Sequence, residues 1–561
     1  MKYLKLLSAL TIIVVLTSAC GQAATPAPAL VVTTAPTVVP PTPVPPTATP
    51  KPAPTAVPPT PTPAPRIFKY AYTSGPTTWD PSASTSTEAI YLCNMYEGLL
   101  KVNPPGSDKP YTPMLAKSWE HSADGLTWTF HLREGVKFQD GTPLTAEAVT
   151  KSISRTITLG TGYGYIWDAV STMEAPDPAT VVFKLKYAAP LELIAGSVYG
   201  AWIFSPKAIE AAAKDPKYFE KGPGLDAGTG PYKLESYTPG KEVVLTKFDG
   251  YWGGWSDAPH NDKVVVYIVA DEVTRQQMLF GGEVDHVALL PIETLLRLKD
   301  DPNYNFYQVE SPYNYLAYLN TKKPPLNNNL VRQAIAYAIP YDQILQAGYY
   351  GYGTQSHWIV PKGVWPYSDK VFQYKYDVEK AKALMKEAGL AGKTTKLLLT
   401  LAAENPDEQR FTPVIKDALA AIGFDVEIRP MMWAQQWELA KGDVTKAQDI
   451  LVSMYWPAYS DAGVDNLYTM EHCEKAPYWN LSYWCNATFD KLIGDAALLT
   501  VTDPAKAQDL YVQAMNLAAE ESSMLAFYDK KFIWVTPKNI TGSKYNINYP
   551  GCVYFYELFK K

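Results

Sequence analysis

The sequence predicts an α/β protein. Three observations carry that reading: from Arg66 onward short strand-like runs alternate with amphipathic helices, no internal repeat of fixed period interrupts them, and the composition can build cores. The 561 residues are 47% hydrophobic and 19% charged. Arg66 to Lys561 is long enough for two or three domains at ~100 to 200 residues each.

The elements follow in order. Arg66 to Thr73 reads as the opening strand, closed by Ser74-Gly75-Pro76. A helix is expected from Glu88 to Leu100. Leu126 to Arg133 alternates as a strand does, Glu134-Gly135 turns the chain, and Val136-Lys137-Phe138 is expected to pair back. Gln139-Asp140-Gly141 makes another tight turn, and Thr145 can cap a helix over Ala146 to Thr156. Lys241 to Phe248 and Lys263 to Val269 are strand-like, and Glu272 to Phe280 is helical. In the second half, Tyr313 to Asn320 reads as a strand and Asn329 to Ile339 as a helix, with Val331, Ala334, Ile335 and Ala338 at helical spacing. Asp377 caps a helix whose apolar stripe is Val378, Ala381, Leu384, Met385 and Ala388, and Gly389 ends it. Lys396 to Leu401 is a strand, Pro413 to Ile422 a helix and Asp425 to Pro430 a strand.

The first 65 residues concern location. Lys2 and Lys5 precede an apolar run from Leu6 to Leu16, and Thr17-Ser18-Ala19 leads into Cys20, the layout of an export signal. The run is too short to span a bilayer as a mature helix, and no later stretch reaches the ~18 to 20 apolar residues that spanning requires. Between Gly21 and Pro65 lie sixteen of the 48 prolines, with Lys51 the only charge. Such a tract favours extended polyproline II and, at ~3.1 Å per residue, reaches on the order of 100 Å. Export, anchor and tether are the expectation. An ordinary secretory signal with an incidental Cys20 is the alternative.

Several function classes are set aside by what the chain lacks. A net charge of -6 without a basic stripe argues against a nucleic-acid partner. The six histidines form no HExxH, and no GxSxG turn occurs. Gly392-Lys393-Thr394 resembles half of a phosphate loop, but Glu387 stands where the first glycine is needed, so a surface connection is the better reading. Neither a CxxC pair nor a His pair at ligand spacing supports a structural metal. No enzyme activity and no cofactor are expected; an exported hydrolase with paired carboxylates is the outside alternative. Aromatics make up 13% of residues, with 39 Tyr and 15 Trp, which suits a stacking cleft as well as a core.

With Cys20 assigned to an anchor, four cysteines remain, and exported proteins meet oxidising surroundings. Cys473 and Cys485 are close in sequence and flanked by loop-like residues, so they are the bridge expected. Cys93 and Cys552 are left to each other or left reduced.

From Leu115 to Ile153 the chain contains Trp119-Glu120, Asp124-Gly125-Leu126-Thr127-Trp128-Thr129-Phe130, Leu132-Arg133-Glu134-Gly135-Val136-Lys137-Phe138 and Asp140-Gly141-Thr142-Pro143-Leu144-Thr145-Ala146. This resembles the signature of the family 5 extracellular solute-binding proteins, receptors of ABC importers for peptides, nickel and some oligosaccharides. The resemblance continues in Gly228-Thr229-Gly230-Pro231-Tyr232, Tyr251-Trp252-Gly253-Gly254, Gly281-Gly282-Glu283-Val284-Asp285, Leu319 to Leu326, Val331 to Ile335, Asp377 to Gly389 and Phe489 to Ile493. Ala148 departs from it, where Asp is usual. Most of these residues read as structural: Gly125, Gly135 and Gly141 suit turns, and Trp128 and Phe130 suit a core. Cys20 resembles the lipidated cysteine of bacterial lipoproteins, although Leu16 sits one place early and Thr17 stands where Leu is usual.

The resemblance implies a periplasmic-binding-protein-like class II fold, two α/β lobes with a hinge and an inserted subdomain. Lobe I would comprise 66–110, 228–311 and 525–561, the subdomain 111–227 and lobe II 312–524, after a signal peptide over 1–19 and a tether over 20–65. It implies a monomer, lipid-anchored on the outer face of the cell membrane, that closes on a small-molecule ligand and presents it to an ABC permease. Cys473 and Cys485 match a peptide-binder loop with two cysteines. Peptide binders hold the ligand's ammonium with an Asp three residues after a Trp; here the stretch Tyr455 to Asn466 puts Tyr459 at that place, with Asp461 two residues on. Trp456, Tyr459 and Asp461 are therefore the candidate ligand residues. The carboxylate-holding Arg of dipeptide binders has no match in Ala402-Ala403-Glu404-Asn405, so the ligand is expected to be a peptide without strict dipeptide specificity, with an oligosaccharide or a nickel chelate as alternatives.

Overall fold

Alternate side chains of the strand Tyr304–Leu319 go into two different cores. Tyr315, Ala317 and Leu319 enter one, Leu316 and Tyr318 the other, and its neighbour Ile450–Tyr455 divides Ile450 and Val452 from Leu451 in the same way. A strand buried on both faces must be central, and both lie inside a six-stranded sheet. Its order is Gly353–Gln355, Met524–Pro537, Tyr304–Leu319, Ile450–Tyr455, Thr395–Ala402 and Phe424–Met431. The computed structural model describes residues 64–561 except 257–258, 458–460 and 477–478. Cys20, the export signal and nearly all of the tether lie outside the described residues.

A second, five-stranded sheet runs His286–Val287, Ile67–Tyr72, Lys263–Ile268, Glu242–Lys247, Tyr232–Thr238. Ile67–Tyr72 pairs parallel with both neighbours. Between these segments of chain, four antiparallel strands from Ala116–His121 to Thr180–Leu185 pack with the helix Ala146–Leu159 around Trp128, Phe130, Phe138, Trp167 and Phe183. Thr145 caps that helix, accepting from the Ala148 N–H at 3.2 Å.

The two lobes are joined by strands. Tyr304–Leu319 carries the chain from the five-stranded sheet into the six-stranded one. Met524–Pro537 pairs antiparallel with it and carries the chain back, to Ile540, Tyr549, Phe555 and Leu558 in the core of the first lobe. The expected boundaries at 311/312 and 524/525 both fall within these strands. The pairing is interrupted between Glu310 and Asn314, where one strand can flex against the other.

Local expectations needed four corrections. The helix expected to reach Leu100 is Ala89–Met95, because Tyr96 turns extended and Glu97 pairs with Ile203. Val136 to Phe138 pairs forward, with the Phe138 N–H donating to Thr142 O and the Leu144 N–H to Val136 O, while Thr127–Leu132 finds partners in Ala116–His121 and Thr180–Leu185. The helix expected from Pro413 begins at Pro406, and Pro413 lies inside it. The strand expected from Tyr313 begins at Tyr304.

The recurrent motifs meet at one buried carboxylate. Glu97 accepts from Thr229 Oγ1 at 2.8 Å, Tyr251 Oη at 3.0 Å and Trp252 Nε1 at 2.7 Å. Burial pushes this carboxyl up to about 7, against the lowering effect of those donors. A Cβ on Gly228 would overlap the Met95 carbonyl oxygen, so glycine there lets this motif touch the end of the helix Ala89–Met95.

Candidate ligand-binding site

A cavity of about 1970 Å³ opens between the lobes. Tyr72, Ala402 and Tyr455, the last residues of Ile67–Tyr72, Thr395–Ala402 and Ile450–Tyr455, all line it. Each of those strands has a parallel neighbour. Open α/β sheets bind ligands outside the carboxyl ends of their strands, and here the ends from both lobes face one space. The walls carry many rings. Tyr163 stacks on Tyr199 at 4.6 Å, and Trp456 meets Tyr313 edge-on at 5.6 Å.

Of the three candidate residues, Trp456 lines the cavity. Tyr459 lies outside the described residues. Asp461 is not part of the lining: it is fully buried, and its Oδ1 accepts from the Gly463 and Val464 N–H groups at 3.0 and 3.3 Å, while Oδ2 has no partner among the described residues. Burial raises its carboxyl to about 7. Asp461 thus holds the start of a helical turn, Gly463–Tyr468, that is wider than an α-helix, with the Leu467 N–H donating to Ala462 O. Gly463 is required there, since a Cβ would lie 2.5 Å from the Tyr511 ring.

In this segment the carboxylate that lines the cavity is Asp465, four residues further on. Tyr165, from the inserted subdomain, donates its hydroxyl to Asp465 Oδ1 at 3.3 Å. The bond spans the two lobes.

A second charged group was not foreseen. Asn405 caps the helix Pro406–Ala420, and its first five residues present Asp407, Glu408 and Arg410 to the cavity. Lys530 Nζ lies 2.6 Å from Asp407 Oδ2, Tyr315 donates to the same oxygen at 2.7 Å, and Arg410 pairs with Oδ1. Lys530 also sits over the Tyr349 ring at 4.1 Å. Two cations therefore face one carboxylate. Glu408, which accepts from the Ala402 N–H at 2.7 Å, is pushed by burial up to about 8. Glu404 is exposed at the rim and accepts from the Trp433 N–H at 2.9 Å. Arg275, also in the lining, is committed elsewhere: its guanidinium donates to the carbonyls of Val269, Ala270, Ala288 and Leu289 at 2.8 to 3.1 Å.

Cys473 and Cys485 are joined in a disulfide with Cα atoms 4.6 Å apart. The loop they close carries Lys475 and Trp479 to the cavity rim, where Trp479 stacks on Trp437 at 4.8 Å. Among the described residues no group of three or more His, Cys, Asp or Glu could hold a metal ion. No helix among them is long and apolar enough to cross a membrane.

A sequence profile described as "Bacterial extracellular solute-binding proteins, family 5 Middle" matches residues 110–477. The chain belongs to that family. Among its relatives is the probable D,D-dipeptide-binding periplasmic protein DdpA of Escherichia coli (strain K12), 30% identical over 80% of this chain and 86% of the relative. Two solved structures at 25% identity also align. One is the ABC transporter-associated periplasmic binding protein DppA from Helicobacter pylori in complex with peptide STSA, with TM-score 0.71 over 88% of this chain and 98% of that one. The other is the binding protein AgaA from A. tumefacien R10 in complex with agropinic acid, with TM-score 0.71 over 88% and 99%. The two-lobed architecture with an inserted subdomain is the family 5 fold.

Proposed function

We propose that this family 5 protein is the receptor of an ABC importer and captures a peptide between its lobes. One observation carries the reading: a cavity walled by rings presents a carboxylate, Asp465, on one part of its lining and two cations, Arg410 and Lys530, on another. A peptide's ammonium and carboxylate are the complement of such a pair. Trp456 supplies a flat apolar wall, and Tyr459, in the same chain segment, a hydroxyl for the ligand backbone. The volume exceeds the ~300 to 1,000 Å³ of most small-molecule pockets, which favours ligands longer than a dipeptide.

A ligand seated on these second-lobe groups would be enclosed as the lobes close, adding to the Tyr165–Asp465 contact and favouring the closed form that a permease meets. Cys20 would carry the lipid that keeps the receptor at the outer face of the membrane, as a monomer on its proline-rich tether. The abundance of rings supports oligosaccharide as the second reading. Native mass spectrometry of the protein purified without denaturation tests the choice. A carried mass that fragments as an oligopeptide supports the proposal; a carried hexose series or a nickel complex would replace it.

A further inference from the structure

Two cysteines outside the disulfide are brought together from opposite ends of the chain. Cys93, on the helix Ala89–Met95, is buried and its thiol donates to Ile90 O at 3.7 Å. The Cys552 thiol donates to Ala89 O, the adjacent carbonyl of the same helix, at 3.6 Å. The two thiols thus sit against neighbouring carbonyls of one helical turn. Their register is fixed by Asn94, whose amide nitrogen donates to Val553 O at 2.8 Å while its oxygen accepts from the Phe555 N–H at 2.9 Å. A side chain that grips the C-terminal segment on both sides of one residue leaves that segment little freedom to move Cys552 away.

We infer that Cys93 and Cys552 form a redox-active pair that closes to a second disulfide in the wall of the ligand cavity. Cys552 lines the cavity and Cys93 does not, so an oxidant entering the open cleft meets Cys552 first. Its thiolate attacks one sulfur of an external disulfide, forming a mixed disulfide and releasing one thiolate. The Cys93 thiolate then attacks the Cys552 sulfur and expels the second. Two protein thiols lose two protons and two electrons, and one external disulfide becomes two thiols. Burial raises the Cys552 thiol well above its ordinary range, so the reduced pair is slow to react without a catalyst. Closure ties the cavity-lining segment from Pro550 to Tyr554 to the helix Ala89–Met95, and joins the first lobe's earliest and latest segments covalently. An exported protein meets oxidants of this kind.

The test uses the full-length protein, purified under a mild reductant, then freed of it and exposed to oxidised glutathione. The expected result is a proteolytic fragment pair linked through Cys93 and Cys552, loss of two maleimide-reactive thiols, and a melting temperature about 4 °C higher. Cys93→Ala and Cys552→Ala should each abolish the linked fragment and the rise. Two thiols still free after oxidation, or glutathione retained on Cys552 without a link to Cys93, would overturn the inference. The mapping needs no ligand, so it stands or falls separately from the peptide reading.

Discussion

Asp461→Asn separates a residue that shapes the site from one that touches the ligand. Asp461 carries one carboxyl oxygen on two backbone N–H groups and the other on nothing described, in a fully buried position. Its carboxyl rises from 3.8 to about 7 on folding. A raised carboxyl gives stability that is complete below the unfolded value and is lost as pH climbs through the folded one. Each pH unit between the two values is worth ~1.4 kcal/mol. Between pH 5.5 and 8.5 the wild type therefore loses about 2 kcal/mol on account of this group, and the amide variant does not. In a unit of ~500 residues that is about 2 °C of melting temperature. The asparagine keeps an acceptor for Gly463 and Val464 but leaves its amide hydrogens unpaired, so the variant starts ~1 to 3 kcal/mol lower at acid pH. Differential scanning calorimetry of both proteins at the two pH values gives the comparison. A gap between them that does not narrow by about 2 °C from pH 5.5 to 8.5 would refute the reasoning, as would a tenfold loss of ligand affinity in Asp461→Asn.

Lys530→Met should weaken a ligand with a free carboxylate by ~1.5 to 3 kcal/mol and leave its amidated form almost unaffected, read by calorimetric titration. Replacing Cys473 and Cys485 together by serine removes the loop closure and should cost roughly 3 kcal/mol in urea denaturation. Trp128→Ala, which empties the subdomain core, should cost ~3 to 5 kcal/mol by the same measurement. Cys20→Ser should move the protein from the membrane fraction to the soluble one.

What the sequence revealed divides by range. Thr145 and Asp377 cap their helices as their positions suggest, and Ala381 and Met385 are the buried part of the stripe read from periodicity. These signals act within a few residues. Tyr304 to Ser311 was missed because Asn305, Gln308 and Glu310 interrupt its apolar pattern, and its order comes from pairing with residues more than 200 positions away. The helix start at Asn405-Pro406 was legible: a capping residue, proline at the first turn and two acidic residues after it form a stronger signal than Pro413 alone. Following that signal would have brought Asp407 and Arg410 into the candidate site. Asp461 and Asp465 are harder to separate. The glycine two residues after Asp461 hints at a side-chain turn, but the wide helical turn that follows decides which carboxylate faces the ligand, and it depends on packing against Tyr511.

Calorimetric titration of the ligand-free protein and of Asp465→Asn with a short oligopeptide library puts capture of a peptide between the lobes to the test. The wild type should bind peptides with free termini at one site. Asp465→Asn should lose ~1.5 to 3 kcal/mol of that affinity, and N-acetylation of the peptide should cost the wild type a similar amount while costing the variant almost nothing. Peptides that give no saturable heat, while an oligosaccharide or nickel–histidine does, would contradict it.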